Sequence, residues 1–397
     1  MTSAPDRSQA TAYLPSLDGL RAVAAGLVVL THAAFLTGFV VNQGLLGRLM
    51  GRGDLGVSIF FALSGFLLHR GFVDSSRPLG VRDYFVRRAV RVLPAYWLVV
   101  AVVVACTNTS ARDAMLHVLG AQIYVADSQI PSFSQSWSVA TELSFYVALP
   151  LAAVGLNRLR RRSASAPLTI LTWTLVSSLA LTWFASSGRI GVDILFERWL
   201  PARAANFIVG MLLAEVLLAP DHPVERRLRA LAAAPGSALV LAGAAYLFAT
   251  TPAAGLLTLG VVSGLQLAVK MACGSIVALA LLAPLVLERD NRWRRAMAHP
   301  VCRWLGRISY GTFLWHVPVF FALYDVSGLK PFSGGMLPLL ALGIPITLCL
   351  AALTYYLFEA PLIRAIRTRH PGQNRSDRHE RQDAGQDLDV RGADRSG

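Results

Sequence analysis

Charged and apolar residues occupy different parts of this chain, and that segregation limits what it can fold into. The apolar runs approach the roughly 20 residues that a helix needs to cross a bilayer. The charges gather between those runs. Hydrophobic residues make up 54% of the sequence and charged residues only 15%, where a soluble domain carries about 25% charged. The roughly ten-residue alternation of polar and apolar positions that marks a membrane β-barrel is absent. The expected fold is therefore an all-α membrane protein. Ten spans can be drawn, at about 17–40, 54–72, 92–106, 138–156, 167–186, 199–219, 236–251, 270–288, 304–324 and 336–358. The third is short, and 252–270 leaves room for further membrane-embedded backbone.

The segments between spans set an orientation. Residues 69–91 carry Arg70, Arg77, Arg82, Arg87, Arg88 and Arg91, and 157–166 read NRLRRRSASA. Arg226, Arg227 and Arg229 lie in 220–235, and Arg289, Arg292, Arg294, Arg295 and Arg303 in 289–303. The alternate loops, 107–137, 187–198, 252–269 and 325–335, carry few basic residues. Basic loops face the cytoplasm, so ten spans put both termini on the cytoplasmic side of the cell membrane. Arg48 and Arg52, in the 41–53 loop, run mildly against this pattern.

A formal charge of +14 would suit nucleic acid, but here topology accounts for it. Lys270 and Lys330 are the only lysines, so the excess is almost wholly arginine. Cys106, Cys273, Cys302 and Cys349 are scattered without a CxxC pair, which gives neither a disulfide framework nor a zinc site; no metal is expected. The first apolar segment is long and has no small-residue cleavage site, unlike a signal peptide. The expected organisation is a cytoplasmic segment over 1–16, a membrane domain over 17–365 and a disordered polar tail over 366–397.

Polar residues inside apolar runs are the informative ones, because a bilayer tolerates them only with partners or water. Arg21 and His32 lie eleven residues apart in LDGLRAVAAGLVVLTHAAFL. On a helix this is about three turns, roughly 16 Å of rise on one face. Arg88 and Arg91 share a face at i and i+3, with the third span starting near Pro94. Each could snorkel or mark topology alone, as Arg87 is read to do. Together, three arginines at one level would grip phosphate bidentately. Glu142, in WSVATELSFYVALP, lies about a turn into the fourth span and needs a proton or a partner. Trp137 and Tyr146 read as interfacial aromatics. Ser64, beside Gly65, reads as a packing residue with no acid or histidine near it in sequence. His316 is read as mainly structural, followed by Pro318, which frees a backbone carbonyl.

These pieces, with RRAVRVLPAYW, GVSIFFALSGFLL, LGRISYGTFLWHVPV and FEAP (Phe358 to Pro361), resemble the acyltransferase 3 family of integral membrane O-acyltransferases. The pieces run in the family's order from about residue 14 to 365. The resemblance implies ten membrane helices and transfer of an acyl group, often acetyl from acetyl-CoA, to hydroxyls of sugars, glycolipids or polyketides. Carried over by position, its first-helix arginine and histidine are Arg21 and His32, its arginine pair is Arg88 and Arg91, and its acid is Glu142. Ser58 and Leu143 stand where many members have acidic residues, which warns against borrowing a substrate. Some members carry a fused extracytoplasmic hydrolase-like domain, for which this length leaves no room.

The mechanism expected from these parts has His32 as general base or transient acyl carrier. Glu142 would orient it or take up its proton. Arg21, Arg88 and Arg91 would hold acyl-CoA as a donor substrate, with no permanently bound cofactor. Ser64, Trp137 and His316 are candidate structural or substrate contacts. The acceptor would be a carbohydrate or glycolipid of the cell envelope, or alternatively a macrolide-type metabolite. A transporter would use the same charges to line a path, but no matching inverted repeats are evident.

Overall fold

The computed structural model describes residues 13–73, 80–185, 194–217, 222–255, 262–288 and 290–369. Arg77, Arg289 and residues 370–397, most of the expected tail, lie outside the described residues, as do 1–12 of the N-terminal segment. All regular elements among the described residues are helical.

The helices are α1 (Pro15–Leu36), α2 (Phe39–Asn42), α3 (Gly44–Gly51), α4 (Gly56–Val73), α5 (Val81–Cys106), α6 (Ala111–Leu119), α7 (Trp137–Arg160) and α8 (Ala166–Phe184). They continue with α9 (Leu200–Val216), α10 (Pro223–Ala233), α11 (Pro235–Ala249), α12 (Gly264–Val286), α13 (Arg292–Met297), α14 (Pro300–Ser327), α15 (Met336–Thr354) and α16 (Ala360–Arg369). Among the described residues, eight segments are long and apolar enough to cross a membrane, and α10 with α11, bent by 99°, makes up to a ninth. The 28-residue α14 is not among them, because Arg307, Ser309, Tyr310, Thr312 and His316 interrupt its apolar run.

Several boundaries depart from the sequence expectation. The third span is not short: α5 runs for 26 residues and begins eleven positions before 92. Arginine is a good helix former, so the basic stretch continues the helix, and Arg88 and Arg91 sit within it rather than ahead of it. The 41–53 loop is helical, with α2, α3 and a 3-10 turn over Arg52–Leu55. The 107–137 loop contains α6, N-capped by Ser110, and a 3-10 segment over Pro131–Ser136. The α16 helix carries order past 365, as far as Arg369.

The α1 helix packs against α14 so closely that a Cβ at Gly306 would land on the Asp18 carbonyl. The α4 and α9 helices meet in the same way, Gly210 lying against the Ala62 carbonyl. Small residues at such crossings let backbones approach in lipid. Prolines within helices leave carbonyls without a donor, and other elements supply one. Pro150 frees the Tyr146 carbonyl, which accepts from the Tyr84 hydroxyl at 3.1 Å. Pro318 frees the Leu314 carbonyl, which accepts from Gln135 Nε2 at 2.8 Å. The second bond pins the 3-10 segment before α7 onto α14, where the site lies. A buried network joins α4, α7 and α9: Glu215 accepts from His69 Nε2 at 2.6 Å and from Arg160 Nη2 at 2.6 Å.

Candidate functional site

A cavity lies among α1, α4, α5, α7 and α14. Arg21, Arg88 and Arg91 line it together with Glu142, Ser64 and Tyr146, while Val57, Phe60, Phe61, Leu67, Val92 and Phe313 make most of the remaining wall apolar. The three arginines named from sequence therefore do converge, although Arg21 on α1 lies more than sixty residues before Arg88 and Arg91 on α5.

Their partners differ. Arg21 Nη1 is 3.2 Å from Asp18 Oδ1, one turn before it. Tyr13, just ahead of α1, donates its hydroxyl to Asp18 Oδ2. Burial, reinforced by that carboxylate, pushes the Tyr13 phenol above its usual range. Arg91 Nη1 is 3.3 Å from Glu359 Oε2, and Glu359 is only 1% exposed. Arg88 forms no ion pair among the described residues, and its buried Nε has no hydrogen-bond partner. Among the described residues, two of the three guanidinium groups are thus held in ion pairs by carboxylates, while Arg88 feels the Glu142 charge without pairing to it.

Glu359 carried no role in the sequence reading. It follows Tyr355, Tyr356, Leu357 and Phe358 in a π-helical turn that ends α15. A carboxylate at the end of a long apolar run, followed by Pro361, was the available signal. Its partner, 268 positions away, was not readable from spacing.

Glu142 Oε1 accepts from Ser64 Oγ at 2.5 Å and from the Tyr146 hydroxyl at 2.7 Å. Ser64 thus has an acid beside it that is 78 residues away in the chain. Tyr146 is buried in the cavity wall and is not an interfacial aromatic. Trp137 is not in that wall. The Arg203 guanidinium sits 4.5 Å over its ring, and Phe61 meets it edge-on. No hydrogen bond joins Glu142 to His32 among the described residues.

His32 pairs instead with His316. Its Nδ1 is 2.9 Å from the Val28 carbonyl and 3.2 Å from His316 Nε2. The two rings meet edge to face with centroids 4.9 Å apart. His316 is fully buried, and its Nδ1 is 3.1 Å from the Thr312 carbonyl. Neither histidine is in the cavity wall, but Phe313 is, and its ring centroid lies 5.8 Å from that of His316. Arg21 and His32 share α1 as expected, yet only Arg21 opens directly onto the cavity; one aromatic ring separates the cavity from the histidine pair.

Comparison with known proteins places the chain in a family. The chain is 26% identical over 90% of its length to the putative peptidoglycan O-acetyltransferase YrhL of Bacillus subtilis (strain 168), of which it spans 56%. It is 25% identical over 76% of its length to the putative membrane-bound transacylase BcsY of Komagataeibacter xylinus, spanning 72% of that protein. It is 22% identical over 88% of its length to the O-acetyltransferase OatA of Staphylococcus aureus (strain NCTC 8325 / PS 47), spanning 57%. The chain thus covers little more than half the length of two of these relatives. No solved structure matches it. The family model described as an acyltransferase domain matches residues 14–356, and the chain belongs to this acyltransferase 3 family.

Proposed function

We propose that this chain is a membrane O-acyltransferase that moves an acyl group, acetyl in the first instance, from acyl-CoA to a hydroxyl of a cell-envelope carbohydrate or glycolipid. The observation that carries the reading is the convergence of Arg21, Arg88 and Arg91 on one cavity whose other wall is apolar. Guanidinium groups suit the phosphates of a CoA ester, and the apolar wall suits its acyl-bearing arm. The histidine pair lies just beyond Phe313.

In this reading the acceptor hydroxyl oxygen attacks the thioester carbonyl carbon while His32 takes its proton. The carbon–sulfur bond breaks, and the departing thiolate receives that proton from His32. Glu142, bonded to Ser64 and Tyr146, balances the arginines instead of orienting His32. The chain would cross the plasma membrane ten times, with both termini cytoplasmic, counting the α10–α11 pair as one span and α14 as another. Basic segments on one side support that orientation. The membrane domain would extend over 17–365.

The names of the relatives, two of them O-acetyltransferases and one specified for peptidoglycan, support a glycan acceptor over a macrolide. The test is transfer of labelled acetyl from acetyl-CoA to a glucosamine-based oligosaccharide by the purified, reconstituted chain. Turnover that stops with His32→Ala is the expected result. Passage of solute without turnover would make the chain a transporter.

A further inference from the structure

The two histidine rings carry more information than their contact. A carbonyl oxygen can only accept, so the ring nitrogen facing it must bear the proton. Val28 O thereby assigns a proton to His32 Nδ1, and Thr312 O assigns one to His316 Nδ1. A neutral imidazole has a single ring proton. The remaining nitrogen of each ring, Nε2, then holds a lone pair. For His316 that lone pair lies 3.2 Å from His32 Nδ1, so the His32 Nδ1–H is shared between Val28 O and His316 Nε2. For His32 the lone pair on Nε2 is left free to act as a base.

We infer that His316 is a positioning residue for acyl transfer, holding His32 in the Nδ1–H tautomer and sharing the charge when His32 Nε2 takes the acceptor's proton. This rests on the reading of His32 as the base. The logic is that of an active-site histidine oriented through its second nitrogen, with a neutral imidazole in place of the usual carboxylate. When His32 becomes imidazolium, its Nδ1–H becomes a charge-assisted donor to His316 Nε2. No proton is created or lost: one leaves the acceptor hydroxyl for Nε2, and the Nδ1 proton stays within the pair until the thiolate takes one back. His316 is well placed for this because Gly306 seats α14 tightly on α1, and Phe313 and Phe320 flank its ring.

The test uses the full chain in lipid nanodiscs, with acetyl-CoA as donor and chitotetraose as acceptor probe, and compares His316→Leu, His316→Gln and His32→Ala. Leucine fills the space but offers no acceptor. Glutamine can present its amide oxygen where Nε2 stood. His316→Leu should lower kcat about ten- to a hundredfold, the worth of a hydrogen bond to a charged group, with acetyl-CoA affinity and melting temperature unchanged. His316→Gln should recover most of the loss. A wild-type rate in His316→Leu, or a glutamine variant no better than leucine when both are folded, overturns the inference. Turnover retained in His32→Ala would instead sink the functional reading. A second measurement does not depend on turnover: the ¹⁵N ring shifts of His32 and His316, assigned by the same variants. Both rings should show protonated Nδ1 and bare Nε2, and a proton on His316 Nε2 contradicts the inference.

Discussion

Removing Arg88 should weaken donor binding without weakening the fold. Arg21 and Arg91 lean on Asp18 and Glu359, so deleting either strands a carboxylate. Arg88 has no such partner among the described residues, and its Nε already lacks a hydrogen bond. A phosphate charge about 4 Å from the guanidinium gains about 4 kcal/mol at an effective dielectric of about 20. Desolvation of both groups reduces this to about 1.5–3 kcal/mol net, the range for a hydrogen bond to a charged group. That converts to a roughly ten- to hundredfold rise in Kd. Isothermal titration of acetyl-CoA into Arg88→Ala and wild-type protein in nanodiscs measures it, and a thermal melt checks the fold. Unchanged affinity would remove Arg88 from the donor site. A large fall in melting temperature would refute the charge accounting.

Arg91→Ala should destabilise by about 3–5 kcal/mol because it leaves a buried carboxylate unpaired, and adding Glu359→Gln should restore much of that in the same melt. Gln135→Leu should cost about 1–3 kcal/mol by orphaning the Leu314 carbonyl, read as earlier unfolding without a change in acetyl-CoA affinity. Ser64→Ala should slow transfer by about ten- to a hundredfold at most, the value of one hydrogen bond to a charged group, here Glu142. A loss as complete as that of His32→Ala would make Ser64 the nucleophile instead.

Much of the fold was legible because a bilayer imposes one rule on every span: apolar side chains and a self-satisfied backbone. The apolar runs therefore mark the helices, and the positions of Pro150 and Pro318 foretell carbonyls needing outside donors. The ends were harder to read, since arginine prolongs α5 as readily as leucine would and polarity alone does not end a helix. At the site, eleven-residue spacing placed Arg21 and His32 on α1, and i, i+3 spacing paired Arg88 with Arg91. Periodicity within one helix cannot report what faces it. The partners of the key groups, Glu359 for Arg91, Ser64 for Glu142 and His316 for His32, are 268, 78 and 284 residues away. Glu142 shows the cost of that blindness: expected beside a histidine, its carboxylate is hydrogen-bonded to Ser64 and Tyr146.

The central claim is tested most directly by single-turnover transfer of labelled acetyl from acetyl-CoA to chitotetraose by the reconstituted chain, wild type against His32→Ala at matched melting temperature. The account predicts acetylated oligosaccharide from the wild type and none above background from His32→Ala. Equal product from both would contradict it.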